Sequence, residues 1–170
     1  HRAAEEIRQD EIAVDEATLR RELVTVCRRA YERGMISGTD GNVSGRLTHD
    51  RLLVTPAGVN KGYLEPGDLV EVDLEGQPVL GGRPSTEVLL HTAVYKVRPD
   101  AMGVVHAHPP SCVALTLVKR GMDEPVIPEI VGALGRVPTA PYATPGTGDL
   151  PASFLPLAEK RLDEGADEWP

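Results

Sequence analysis

Between Gly103 and Pro110 the chain reads Gly-Val-Val-His-Ala-His-Pro-Pro, and this stretch limits the fold more than any other. The apolar run is a strand, and a strand sends successive side chains to opposite faces. His106 and His108 therefore leave on one side, with Ala107 behind them. Pro109 and Pro110 end the pairing, because proline has no N–H to give a ladder. Two imidazoles at adjacent same-side positions suit a divalent cation, which histidine nitrogens bind at about 2.0–2.1 Å. The pair sits at the end of a strand and before a turn, where α/β proteins place open sites. Alone, such a pair is more often a feature of an ordinary surface than a metal site; what lies upstream makes it a candidate site.

That upstream sequence supplies a carboxylate and two punctuated loops. Ser85 or Thr86 can cap a helix, with Glu87 in its first turn. Leu89, Leu90, Ala93, Val94 and Val97 predict its buried side. Glu87, His91 and Tyr95, spaced i, i+4, i+8, share another face, which makes His91 a packed or hydrogen-bonded neighbour rather than a metal ligand. Earlier still, Ile36–Gly45 reads ISGTDGNVSG, whose glycines permit positive φ and close backbone approach. Taken alone, Asn42 and Ser44 read as residues of a plain turn. Val43 and Leu47 predict a strand leaving it, His49-Asp50 an exposed hairpin tip, and Leu52–Thr55 the return strand. Thr55-Pro56-Ala57-Gly58 is a second loop, and free N–H groups in such loops bind anions. Lys61 after it reads as a surface residue.

The rest of the chain is framed by helices. Asp15 is a suitable N-cap, Leu19, Leu23, Val26, Cys27 and Ala30 recur at helical spacing, and Gly34 is a natural stop. Leu69–Asp73 alternates as a strand. A helix is expected from Pro110 to about Lys119, short strands at Val126-Ile127 and Val137, a polar loop over Pro141–Gly148, and a last helix from about Pro151 to Glu164.

Composition narrows the class. With 170 residues, 41% of them apolar, the chain is long enough for one domain with its own core. A net charge of −8 argues against nucleic acid, whose phosphates call for clustered Lys and Arg. No apolar run approaches the length of a membrane span, so no membrane partner is expected. The two cysteines, Cys27 and Cys112, fall at apolar helical positions and read as reduced core thiols, which fits a cytoplasmic setting.

Five segments in order then resemble the class II aldolase/adducin family, the group that includes L-fuculose-phosphate aldolase. They are GNVS (Gly41–Ser44), TPAG (Thr55–Gly58), STE with its following His and Tyr (Ser85–Tyr95), HAH (His106–His108) and APYATPGT (Ala140–Thr147). They run across about residues 17–160. The resemblance implies an α/β fold: a three-layer α/β/α sandwich around a mostly antiparallel sheet, assembled as a homotetramer with sites between subunits. It implies a divalent metal on His106 and His108, Zn²⁺ first and Mn²⁺ or Co²⁺ as alternatives. Glu87 becomes the catalytic acid/base. Asn42, Ser44, Gly58, Ser85 and Thr86 hold the phosphate of a small-molecule substrate.

The activity implied is metal-dependent aldol cleavage of a small phosphorylated sugar or sugar acid through an enediolate. A decarboxylase or dehydratase of the same family, or a non-catalytic adducin-like interaction module, is the alternative. Three departures accompany the resemblance. The family's third metal histidine lies in a later Asn-His-Gly-like motif, and no histidine follows His108; the expectation is a single domain over 1–170 whose C-terminal segment lies outside this sequence. Some family aldolases place a proton-donating tyrosine in the segment that here reads Pro125–Glu129, which has none. The family's 4-epimerase branch carries Asp at the position of Glu87, so that activity is disfavoured.

Overall fold

A computed structural model describes residues 15–121, 128–129 and 137–158. Its first helix, α1 (Glu16–Glu32), begins where Asp15 accepts a hydrogen bond from Thr18 N at 3.0 Å and closes before Gly34, whose φ is +66°. Next come strands β1 (Asn42–Arg46), β2 (Arg51–Val54), β3 (Val70–Asp73) and β4 (Pro78–Leu80). Helix α2 (Val88–Val97) leads to strand β5 (Gly103–His106), then to α3 (Pro110–Leu117) and α4 (Asp149–Ala158). The five strands form one sheet in the order β4-β3-β2-β1-β5, with every pair antiparallel.

Alternation in the strands creates two cores, one on each face of the sheet. Leu19, Leu23, Val24 and Cys27 of α1 pack on Val43 and Leu53, with Leu47, Leu64 and Leu69. On the opposite face Val88 and Tyr95 of α2 pack on Leu52, Val54, Val70 and Val72. Each leucine so buried is worth roughly 1.5–3 kcal/mol relative to exposure. The result is the expected three-layer arrangement. Desolvation pushes the Cys27 thiol up to about 11, so it is an inert core group; Cys112 is only half-buried.

The β1–β2 hairpin turns over His49-Asp50 as the sequence predicts, and His49 is exposed there. The last predicted helix starts at Asp149 rather than Pro151, and its expected extension to Glu164 lies outside the described residues, as do Val126 and Ile127.

Strand β1 is the unusual element. All five of its residues are buried, yet Asn42, Ser44 and Arg46 are polar. Being two apart, they share the face that looks at α2, while Val43 faces α1. They meet there the Glu87–His91–Tyr95 face of α2. The expected orientation of α2 is thus corrected: Val88, His91, Thr92 and Tyr95 are its buried residues, whereas Leu89 is 45% exposed. A polar helix face is buried without penalty when each group finds a partner, and β1 supplies those partners.

Lys61 is a second correction. It is 2% exposed, and its ammonium donates to Thr39 O and Val59 O at 3.0 and 2.8 Å. Burial lowers its pKa. It ties the Gly38–Gly41 loop to the Pro56–Asn60 loop.

Candidate metal and acid–base site

The site forms where the start of β1, the end of β5 and the N-terminus of α2 converge. Pairing of β1 with β5 sets Asn42 opposite His106. The strand ends at His106, and beyond it His108 N donates to Met35 O at 2.8 Å, which holds the second histidine beside the first. Their rings lie 4.8 Å apart at 56°, with Nε2 to Nε2 at 3.1 Å. Gly41 makes this closeness feasible. Its φ is +66°, and a Cβ there would stand 2.8 Å from His106 O and 2.9 Å from Ile36 Cγ1.

Glu87 arrives from the other side. It occupies the cap position of α2 rather than the first turn, and its N–H donates to Ser85 Oγ at 3.3 Å. Its Oε2 accepts from Asn42 Nδ2 at 2.6 Å and lies 2.8 Å from His106 Nδ1. That second approach is close enough for an ion pair but off the line of a hydrogen bond, so among the described residues the buried Nδ1 of His106 has no directional partner.

The donor set fits a divalent cation. Two nitrogens bound at about 2.05 Å to a tetrahedral centre stand about 3.3 Å apart, close to the 3.1 Å found for His106 and His108. A ligating histidine commonly turns its other ring nitrogen toward a carboxylate, and His106 Nδ1 lies against Glu87. Among the described residues no group of three or more His, Cys, Asp or Glu side chains converges on one point; a cation held by His106 and His108 would need further ligands.

Behind Glu87 lies a chain of buried polar groups. Asn42 Oδ1 pairs with His91 Nε2, His91 Nδ1 with Ser44 Oγ at 2.6 Å, and Ser44 Oγ with Tyr95 Oη at 3.0 Å. His91 is 1% exposed, as a packed neighbour should be. Desolvation, with His106 adding repulsion, holds its pKa down to about 3. Burial raises the Tyr95 phenol to about 12. Arg46 closes the row with its guanidinium 4.8 Å from the Tyr95 ring centroid, donating to Tyr95 O, Ala101 O and His49 O. Sequence reading did not single out Arg46; the polar alternation Asn42, Ser44, Arg46 set against Glu87, His91, Tyr95 is the signal that marks it.

The candidate ligand loops are also brought together. Ala57 N donates to Arg83 O, and Ser85 N to Thr55 O, each at 3.0 Å. This pairing sets Thr55 opposite Ser85 and joins the Thr55–Gly58 loop to the approach to α2. Gly58 and Thr86 are exposed, and Gly58 has φ +70° with open space above it. Ser85 is 8% exposed, with its hydroxyl accepting from Glu87 N. Ser44 does not line this opening. It has no exposed surface and two side-chain partners, so the structure places it beneath the site as a support. Asn42 is 4% exposed and likewise faces Glu87 and His91.

Comparison with known proteins bears on this arrangement. The family described as Class II Aldolase and Adducin N-terminal domain matches residues 21–166. The 3-oxo-tetronate 4-phosphate decarboxylase of Escherichia coli strain K12 is 35% identical over 148 residues, covering 84% of this chain and 69% of that protein. The L-fuculose phosphate aldolase of the same strain is 38% identical over 134 residues, covering 78% of this chain and 61% of that protein. Among solved structures, YgbL from Klebsiella pneumoniae superimposes with a TM-score of 0.79 at 34% identity, covering 86% of this chain and 73% of that one. The L-fuculose-1-phosphate aldolase from Thermus thermophilus gives 0.72, also at 34% identity, over 85% of this chain and 72% of its own.

Proposed function

The chain belongs to the class II aldolase and adducin family, and from that premise we propose that it is a divalent-metal-dependent carbon–carbon lyase acting on a small phosphorylated sugar or sugar acid. The observation that carries the proposal is the convergence of Glu87 on His106, whose other ring nitrogen meets His108. The names of the similar proteins, one an aldolase and one a decarboxylase of phosphorylated compounds, support the substrate class.

Both reactions break a carbon–carbon bond beside a carbonyl and leave an enediolate on the substrate. A cation on His106 and His108, Zn²⁺ in the first instance, would supply Lewis acidity toward the carbonyl oxygen; its third protein ligand we place outside the described residues. Glu87, at the mouth with its side chain 15% exposed, exchanges the proton at the enediolate carbon; in decarboxylation, where cleavage releases CO₂ and no proton, it delivers one drawn from solvent. The exposed Gly58 loop and Thr86 meet the phosphate, and the binding energy of that remote group positions the reacting carbons. Asn42, buried between Glu87 and His91, acts through the Glu87 carboxylate rather than on the phosphate. Ser44 acts from beneath, through His91, and Ser85 through the Glu87 turn.

Decarboxylation of a 3-oxo sugar acid has one feature in its favour. Aldol cleavage must also handle the proton of the departing aldehyde's hydroxyl, and no tyrosine occurs in Pro125–Glu129 to assist. Loss of CO₂ requires a single proton at carbon, which Glu87 alone can deliver. An oligomer with sites between subunits, a tetramer in the first instance, fits the exposed Val105 on edge strand β5 and the exposed Leu117 and Val118 after it.

The test is an assay of zinc-loaded protein against L-fuculose 1-phosphate and a 3-oxo-tetronate 4-phosphate, following triose phosphate and CO₂. Release of either product, abolished by chelator and restored by Zn²⁺, is expected. A protein that binds no divalent ion and turns over neither compound would overturn the proposal and favour a non-catalytic module.

A further inference from the structure

The buried row behind Glu87 has a direction, and the direction follows from one chemical fact. A carboxylate has only acceptors. The group facing Glu87 Oε2 must therefore be the Asn42 NH₂, which leaves the Asn42 carbonyl oxygen toward His91. That oxygen only accepts, so His91 Nε2 carries the ring hydrogen. A neutral imidazole has one N–H, hence Nδ1 is bare and accepts from the Ser44 hydroxyl. Ser44 has then spent its hydrogen, so its oxygen accepts from the Tyr95 phenol. With Glu87 ionised, every donor in the row is fixed from Tyr95 to Glu87.

This arrangement also separates the two oxygens of Glu87. Oε2 accepts from Asn42 and lies against His106. Oε1 has neither contact.

We propose that His91 is a positioning residue: locked as the Nε2–H tautomer by Ser44 and Tyr95, it aims the Asn42 amide so that its N–H grips Glu87 Oε2 and leaves Oε1 as the oxygen that exchanges a proton with substrate. This rests on the reading of Glu87 as the acid/base. It assigns His91, Ser44 and Tyr95 a task toward a carboxylate that none of them touches. It also accounts for a helix face with polar groups at i, i+4 and i+8 turned inward. If the His91 ring carried its hydrogen on Nδ1, two bare acceptors would face each other at Asn42, the amide would turn over, and its oxygen would face the carboxylate.

The tautomer can be read without substrate. Long-range ¹H–¹⁵N correlation on the purified full-length protein is expected to show His91 with Nε2 protonated and Nδ1 bare. Two variants separate positioning from packing. His91→Gln keeps an N–H donor where Nε2 stood, whereas His91→Leu keeps bulk alone. Exchange of the Asn42 side-chain amide with water is expected to stay near the wild-type rate in His91→Gln. In His91→Leu it should quicken about ten-fold, the equivalent of one lost hydrogen bond. An Nδ1–H tautomer, or equal exchange in the two variants, would overturn the proposal. If His91→Leu does not fold, Ser44→Ala serves: with its lock removed, His91 should populate both tautomers, and an unchanged single tautomer would count against the proposal. Absence of lyase turnover alongside the expected spectra would tell against the function and leave the positioning intact, so the two failures are distinct.

Discussion

Asn42 and Glu87 stand 45 residues apart in the chain, yet Asn42 Nδ2 donates to Glu87 Oε2 at 2.6 Å while the same amide's oxygen meets His91. One side chain thus links a half-buried carboxylate at the site to an imidazole in the interior.

Removing that link should cost both stability and chemistry. Asn42→Ala leaves His91 Nε2–H and Glu87 Oε2 without their shared partner, and an unsatisfied buried group costs about 1–3 kcal/mol. Loss of a residue that orients a functional group lowers activity about 10- to 100-fold. Urea denaturation and a turnover assay are expected to show both effects. A variant as stable and active as the parent contradicts the account.

Glu87→Gln separates proton transfer from metal binding. The amide keeps an oxygen for Asn42 and leaves both histidines intact, so metal content should be unchanged. Turnover should fall by about 10²–10⁴, the usual contribution of an acid/base group. Steady-state kinetics beside elemental analysis checks this, and loss of metal would instead make Glu87 a ligand.

Acid stability follows from His91. Its folded pKa is held down to about 3, against about 6.5 in an unfolded chain. Below pH 6.5 the unfolded state binds the proton and the folded state does not. The contribution of neutral His91 is therefore complete above pH 6.5 and is lost as pH falls toward 3, by about 1.4 kcal/mol per pH unit. Urea midpoints measured from pH 7 to pH 4 should fall more steeply for the parent than for His91→Gln. Parallel curves would contradict the assignment.

Gly41→Ala tests the close approach that sets His106. The added methyl group meets His106 O at 2.8 Å from a residue at φ +66°, and overpacking of this kind costs about 1–3 kcal/mol. A lowered melting temperature together with weaker metal affinity is expected, since the displaced backbone carries a proposed ligand. Normal stability with normal affinity would show that the loop adapts.

Some of this was legible in the chain. The Asp15 cap and the hairpin at His49-Asp50 follow from local chemistry that tertiary contacts did not override; His106 and His108 do lie together, but β5 ends at His106 and the bond from His108 N to Met35 O, not strand alternation, sets the second ring. The facing of α2 was not legible from its apolar residues. Leu89 is exposed and His91 buried, because the polar face is compensated by β1, an element more than 40 residues earlier whose own polar alternation reads locally as a turn. Lys61 misled for a related reason: two loop carbonyls that only the fold brings together remove the cost of burying its charge. Ser44 was expected at the phosphate on the family resemblance alone, but strand alternation turns its side chain inward, toward His91 and Tyr95.

The most direct measurement is equilibrium zinc binding by the full-length protein and by His106→Ala and Glu87→Gln. The account predicts one ion per chain in the parent and in Glu87→Gln, and none in His106→Ala. Full occupancy in His106→Ala, or no binding by the parent, would contradict it.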